Sequence, residues 1–198
     1  MSHELPTVYL ARHGETAWTL SGQHTGRTDL PLTDHGEQNA LALGERLKGM
    51  TFAKVWTSPL QRARKTCELA GFGGRAEVDQ DLLEWDYGKY EGVTSADIRK
   101  ENPDWDLFTQ GCPGGESPAQ ISARADHVVS RVRAAGGNVL LFSSGHILRV
   151  VAGRWAGKEP TDMSRYLILS TASLSELSYE GHLSRPGIKL WNCTTHVR

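Results

Sequence analysis

The 198-residue sequence predicts a single α/β domain with three layers, in which helices cover both faces of a mainly parallel β-sheet. Three observations support this prediction. Short apolar runs that end at polar residues recur along the chain, as buried parallel strands do. Helix-start signals lie between these runs, which gives the alternating order of a parallel sheet. The length suits one domain over residues 1–198, and no repeat or linker interrupts it.

The first strand and helix begin this pattern. Residues 8–11 form a short apolar run that stops at a polar cluster, which predicts a buried strand. A loop punctuated by glycine and proline follows. Thr33 can then cap a helix that extends to about Lys48 and ends at Gly49.

Two more strands and a second helix come next. Residues 53–57 form the second strand, and the tetrapeptide SPLQ at 58–61 gives a capping box with Ser58 at the N-cap. A third strand at 76–78 precedes a long irregular stretch from 81 to 115.

The second half of the chain repeats the alternation. The tetrapeptide SPAQ at 117–120 gives another capping box, and the apolar residues of the helix after it share one face. The further predicted elements are a buried strand at 139–142, a helix at 146–155, and paired strands at 174–179 and 188–191.

Composition excludes several classes of function. The chain has 22 Lys and Arg against 23 Asp and Glu, so no basic surplus points to nucleic acid. The three cysteines form no C-x-x-C pair, the first residues lack a signal-peptide pattern, and no apolar run approaches a membrane span. We therefore expect a cytoplasmic protein without a membrane partner. The eight histidines show no metal-ligand spacing, so we expect neither a metal nor a cofactor, and the oligomeric state stays open.

Four polar clusters follow the predicted strands and indicate chemistry at one edge of the sheet. Because ligands of such sheets bind beyond the carboxyl ends of the strands, we expect the clusters to share one crevice. Arginine binds phosphate oxygens, a neutral imidazole is a competent nucleophile, and a carboxylic acid can protonate a departing alkoxide. The set favours phosphoryl transfer on a small phosphorylated substrate, although each cluster alone also fits a structural role. The clusters are residues 12–16 (RHGET), Arg62 with Arg64 and Lys65, residues 83–88 (LEWDYG) and residues 143–146 (SSGH).

The first cluster is the most specific motif. At Arg12-His13-Gly14-Glu15-Thr16 the chain resembles the histidine phosphatase superfamily, which includes cofactor-dependent phosphoglycerate mutases and acid phosphatases. Residues 21–33 resemble especially the branch that holds sedoheptulose bisphosphatase and related acid phosphatases. The resemblance covers nearly the whole chain, through Thr25-Gly26, Leu32-Thr33 with Gly36, residues 58–63 with Thr66, Glu84 with Tyr87-Gly88 and Glu91-Gly92, residues 114–117, and Gly145-His146 with Arg149.

The resemblance implies a phosphoglycerate mutase-like fold and a role for each matching residue. His13 would take the phosphoryl group, Arg12 and Arg62 would clamp its oxygens, and Glu84 would act as acid and then as base. No metal would take part. The positions expected near the substrate are Thr19, Thr25, Gly26, Tyr87, Gly145 and His146.

Ser144 departs from the family pattern. The family has a second catalytic histidine directly before the glycine that matches Gly145, and this chain has Ser144 there, with His146 two residues beyond. The departure indicates a natural variant, an engineered inactivated form, or a phosphate-binding protein that has lost catalysis. We expect impaired turnover.

The leading hypothesis is a phosphomonoesterase that hydrolyses small phosphorylated metabolites, such as sugar phosphates, through a phosphohistidine. One alternative is a phosphoglycerate mutase, although residues 101–115, where a mutase needs basic residues, contain no Arg or Lys. A serine hydrolase acting through Ser144 would lack the two glycines of a nucleophile elbow. The non-enzymatic alternative is a pseudophosphatase that binds phosphoesters, which would need neither His13 nor Glu84.

Overall fold

One six-stranded β-sheet organises the chain. The computed structural model describes residues 5–197, so residues 1–4, on which the expectation of no signal peptide partly rests, lie outside it. The strands are β1 (Val8–Arg12), β2 (Lys54–Thr57), β3 (Glu77–Val78), β4 (Val139–Ser143), β5 (Leu174–Tyr179) and β6 (Pro186–Cys193), and they lie in the order β3-β2-β4-β1-β5-β6. The pairs among β1 to β4 are parallel, and β5 runs antiparallel to β1 and β6. The predicted mainly parallel sheet is confirmed.

Helices cover both faces of this sheet. They are α1 (Ala17–Ser21), α2 (Asp34–Leu47), α3 (Gln61–Leu69), α4 (Ser95–Glu101), α5 (Leu107–Gln110), α6 (Pro118–Ala134) and α7 (Gly145–Trp155). Side chains of β4 alternate between the faces, because Leu141 packs in the core beneath α6 and α7 whereas Leu140 and Phe142 pack in the core beneath α2 and α3. The three-layer prediction is confirmed.

Of the three helix starts predicted from capping residues, two are confirmed. The Thr33 hydroxyl accepts the N–H of Gly36 at 3.0 Å, and Ser117 and Gln120 form the capping box at the start of α6.

The capping box at 58–61 is wrong. Helix α3 begins only at Gln61, and its N-cap, Leu60, makes no side-chain hydrogen bond. Asp29, from the loop before α2, takes the place of a local cap. Its carboxylate accepts the Gln61 N–H at 2.7 Å and its carbonyl accepts the Gln61 side-chain amide at 2.5 Å.

The stretch at 81–115 is less irregular than the sequence predicts. It contains α4, α5 and a single 3₁₀ turn at residues 88–90, and another 3₁₀ turn, at residues 80–82, overlaps its start. Helix α1 was also not predicted. Within residues 5–197, no helix is both long and apolar enough to cross a membrane.

Candidate active site

The carboxyl ends of β1 and β4 bring two of the predicted clusters together. Arg12 at the end of β1 pairs in register with Ser143 at the end of β4, and the His13 N–H donates to the Ser143 carbonyl at 2.9 Å. A cavity of about 200 Å³ opens beyond these ends. Its lining consists of Arg12, His13, Trp18, Thr19, Gly22, Gln23, His24, Thr25, Glu84, Tyr87, Gly145, His146, Arg149 and Leu169.

His13 has the geometry of a nitrogen nucleophile. The side chain is buried, and its Nδ1 lies 2.7 Å from the carbonyl oxygen of Gly14. A carbonyl only accepts, so Nδ1 carries the proton and Nε2 keeps its lone pair. Burial, followed by the charges of Arg62 and Arg12, lowers the pKa of His13 well below its ordinary value. The imidazole is therefore neutral at pH 7 and can attack.

Gly14 fixes this geometry through close packing. A Cβ atom on Gly14 would lie 2.4 Å from the Gly36 carbonyl oxygen, and one on Gly36 would lie 2.3 Å from the Glu15 carbonyl oxygen. The backbone after β1 thus packs directly on the first turn of α2, which only glycine permits. The Gly14 N–H also donates to the Thr66 hydroxyl at 3.0 Å.

Glu84 faces the same cavity from a segment without regular secondary structure. Its Oε1 accepts the N–H groups of Trp85 and Ile147, both at 2.8 Å, and its Oε2 accepts the N–H of His146 at 2.9 Å. The carboxylate thereby caps the N-terminus of α7. Oε1 has both lone pairs engaged, so Oε2 is the atom that retains a lone pair for a proton.

Arg62 is buried and contributes charge without lining the cavity. It donates from Nη1 to the Thr28 carbonyl at 2.9 Å, and from Nη2 to the Thr25 and Gly26 carbonyls at 3.0 Å each. Nε donates to the Ser144 hydroxyl at 3.3 Å. Four of its five N–H groups are thus engaged, which leaves one on Nη1 for a ligand.

Arg12 keeps more of its donors available. Nη1 donates to the Leu169 carbonyl, and the buried Nε has no partner among residues 5–197. An unpaired buried donor is costly unless a ligand satisfies it. The guanidinium lines the cavity beside His13, so it is placed to bind a phosphoryl oxygen.

Ser144 and His146 occupy different positions at this turn. Ser144 is 1% exposed, is the N-cap residue of α7 without capping it through its side chain, and does not line the cavity. His146 lines the cavity, and its Nδ1 lies 2.6 Å from the Tyr87 hydroxyl. Burial lowers the pKa of His146 well below its ordinary value and raises that of Tyr87 well above. Both groups are therefore neutral at pH 7.

Most of the predicted residues meet in one place. His13, Arg12, Glu84, Thr19, Thr25, Tyr87, Gly145 and His146 line the cavity, whereas Arg62, Ser144 and Gly26 lie against it without lining it. Gly26 has no room for a side chain, since a Cβ atom would lie 2.6 Å from the Trp85 carbonyl oxygen. Arg64 and Lys65, from the second predicted cluster, line a separate cavity.

Five other side chains that line the cavity were not predicted as site residues: Trp18, Gln23, His24, Arg149 and Leu169. The sequence could have indicated Arg149 as a site residue, because it lies one helical turn after Gly145 and therefore on the same face of α7. Nothing in the spacing of His24 indicates a place in the site. Burial lowers the pKa of His24 to about 4. Among residues 5–197, no three His, Cys, Asp or Glu side chains cluster as metal ligands would.

Comparison with known proteins identifies the family of this chain. The model of the histidine phosphatase superfamily (branch 1) matches residues 8–194. An acid phosphatase of Mycobacterium tuberculosis is 42% identical over 177 residues, which cover 87% of this chain and 86% of that protein. The sedoheptulose 1,7-bisphosphatase of Saccharomyces cerevisiae is 35% identical over 185 residues, covering 77% and 68%. The solved structure of an open reading frame of M. tuberculosis superposes with a TM-score of 0.89 at 37% identity, covering 94% of this chain and 97% of that one.

Proposed function

The chain belongs to the histidine phosphatase superfamily, and from this premise we propose that it hydrolyses small phosphomonoesters through a phosphohistidine on His13. One observation carries the proposal. The proton of His13 is held on Nδ1 by the Gly14 carbonyl, so the unprotonated Nε2 is the nitrogen left to react, beside Arg12 and Glu84. A pure phosphate-binding protein would not need that tautomer.

The proposed reaction has two halves. In the first, the Nε2 lone pair of His13 forms an N–P bond while the P–O bond to the leaving group breaks, and the proton on Glu84 Oε2 passes to the departing oxygen. In the second, Glu84 takes a proton from water as its oxygen attacks phosphorus and the N–P bond breaks. Phosphate leaves, and both side chains return to their starting states. Arg12 and Arg62 stabilise the charge on the phosphoryl oxygens.

The size of the cavity and the names of the relatives support small phosphorylated metabolites as the proposed substrates. A cavity of about 200 Å³ suits a small metabolite. The yeast relative is named for a sugar bisphosphate, so sugar phosphates are the first substrates to test.

Nucleophile, acid and positive charge all come from side chains in this scheme, so it needs no metal or cofactor. We place the protein in the cytoplasm and assign it no nucleic-acid or membrane partner.

Hydrolysis is favoured over mutase activity. Residues 101–115 contain no Arg or Lys, and Asp106 within them pairs with Arg165 at 3.2 Å. The segment therefore offers no spare positive charge to hold a bisphosphorylated intermediate. Steady release of phosphate without formation of an isomeric phosphoester separates the two activities.

The test is covalent trapping on His13. Incubation with ³²P-labelled phosphoester, followed by denaturation, should leave an acid-labile label that His13→Ala abolishes while phosphate binding persists. The control is His35→Ala, because His35 is an exposed histidine on α2. Labelling that persists in His13→Ala would refute the proposed nucleophile. Phosphate binding without label or turnover in the unmodified protein would instead identify a pseudophosphatase.

A further inference from the structure

The segment that carries Glu84 is held by an arginine on a neighbouring helix. Arg124 lies on α6, its side chain is only 14% exposed, and all five of its guanidinium N–H groups have acceptors. Nη1 donates to the Asp81 and Leu83 carbonyls at 2.8 and 2.6 Å, and Nη2 donates to the Glu84 carbonyl at 3.3 Å. Nε and Nη2 donate to the Glu116 carboxylate at 2.9 and 2.7 Å.

Glu116 holds the other side of the same segment. Its Oε2 accepts the Asp86 N–H at 2.9 Å, and its own N–H donates to the Asp86 carbonyl at 2.9 Å. The Glu116 carbonyl accepts the indole N–H of Trp85 at 2.9 Å. The ion pair therefore fixes the backbone on both sides of Glu84.

Such support matters because the backbone of Glu84 does not lie in a helix or strand, although its carboxylate caps α7. The residue follows a single 3₁₀ turn and precedes another, while its carboxylate must stay at the cavity. Only a planar guanidinium can satisfy a carboxylate in bidentate fashion and three carbonyls at once. A lysine has three donors on one nitrogen and cannot reproduce that fork.

We propose that Arg124, together with Glu116, positions Glu84 for proton transfer to the leaving group. This inference rests on the proposed function of Glu84 as acid and then base. Arg124 does not line the cavity and acts only through the backbone of residues 81–86. A displacement of about 1 Å in a reacting group can cost on the order of 10² in rate.

The dependence of the reaction rate on the leaving group distinguishes a positioning role of Arg124 from a role in overall stability. p-Nitrophenolate departs with little protonation, whereas an alkoxide needs a proton. In single-turnover assays, Arg124→Lys should slow glycerol 2-phosphate by about 10–10²-fold and p-nitrophenyl phosphate far less. Glu84→Gln should show the same selectivity. The double variant should be no slower on glycerol 2-phosphate than Glu84→Gln alone, because the two residues act as one unit.

Arg131→Lys is the matched control. Arg131 lies on the same helix and pairs with Asp79 and Asp81, but it has no hydrogen bond to residues 83–86. We expect it to leave the ratio of the two rates unchanged. Should Arg124→Lys fail to fold, Glu116→Gln, which keeps the size and one oxygen acceptor, should shift the ratio in the same direction.

The outcomes separate the two ideas. Equal loss on both substrates in Arg124→Lys, or additive losses in the double variant, would overturn the positioning role while Glu84 keeps its own. If Glu84→Gln itself slows both substrates equally, the proposed acid is wrong, and the role of Arg124 falls with it. Thermal midpoints of every variant show whether a loss in rate follows from unfolding.

Discussion

Replacing Ser144 with histidine should accelerate phosphoryl transfer. Ser144 is buried, and its hydroxyl accepts the Nε–H of Arg62 at 3.3 Å. One donor of an arginine expected to bind the phosphoryl group is therefore directed to a serine. The hydroxyl itself does not line the cavity, so it adds no donor for the transition state.

The size of the gain follows from a count of donors. Arg62 has a single N–H left for a ligand, because Thr25, Gly26, Thr28 and Ser144 take the others. Histidine at position 144 would remove the hydroxyl acceptor and add an imidazole N–H. One preorganised donor is worth on the order of 10²–10³ in rate, so we expect a gain of about 10²-fold or more. Overpacking of a buried site can cost about 1–3 kcal/mol of stability, and the adjoining cavity offers space to reduce that cost.

The assay is single-turnover transfer from p-nitrophenyl phosphate with protein in excess. Ser144→Ala is the control, since it frees the Nε–H of Arg62 without supplying an imidazole. An equal gain in both variants would assign the effect to Arg62. His146→Ala completes the set, because His146 is the histidine that lines the cavity, and we expect it to weaken binding more than transfer.

One result would refute the reasoning. If Ser144→His gives no gain while His146→Ala abolishes transfer, His146 is the second catalytic histidine and Ser144 has no catalytic position to restore. The neutral His146 ring, hydrogen-bonded to Tyr87, would then be the donor on which catalysis depends.

Two further predictions concern stability. Gly26→Ala should lower the free energy of unfolding by about 1–3 kcal/mol, since its Cβ would lie 2.6 Å from both the Trp85 carbonyl oxygen and Glu91 Oε2. Denaturant titration measures this loss. The control, Gly74→Ala, should show no such loss, because the space around Gly74 is open. Stability should also fall on acidification from about pH 6.5 towards pH 4. Burial lowers the pKa of His24 to about 4 and those of His13 and His146 well below the ordinary value, so the unfolded chain binds more protons in that window. Urea midpoints should show the decline, with a smaller slope in His24→Asn, and an equal slope in that variant would contradict the role of His24.

The sheet could be predicted because its strands are bounded by strong local signals. β4 is an uninterrupted buried apolar run, and the helix starts at Thr33 and Ser117 depend on side chains next to the helix itself. The prediction of the start of α3 is wrong for the opposite reason. Its partner, Asp29, is 32 residues away in sequence, and no local pattern reports such a contact. The short helices α1, α4 and α5 have seven residues or fewer, too few to show a helical period.

The residues of the candidate site likewise fall into those that the sequence could predict and those that it could not. Residues directly after β1 and β4 were predicted, because parallel strands bring their carboxyl ends to one edge. Gln23 and His24 were not, since the approach of their side chains depends on the path of a segment without regular structure, and Thr25 beside them was predicted only through the family resemblance. The role proposed for Arg124 could not be predicted from the sequence for a related reason. Three of its five N–H groups donate to backbone carbonyls, which the sequence does not distinguish.

The capping of α7 gives the substitution at position 144 a clear interpretation. The side chain of a serine at an N-cap ordinarily accepts an N–H from the first turn, and replacing such a serine with alanine lowers stability by about 1 kcal/mol. In this helix the N–H groups of His146 and Ile147 donate to the carboxylate of Glu84, and the Ser144 side chain makes no capping bond. The start of α7 therefore does not depend on the side chain at position 144, whose hydroxyl has a hydrogen bond only to Arg62 among residues 5–197. A change in rate on substitution of Ser144 would consequently report on the phosphoryl site and not on the helix, whereas substitution of Glu84 disturbs both.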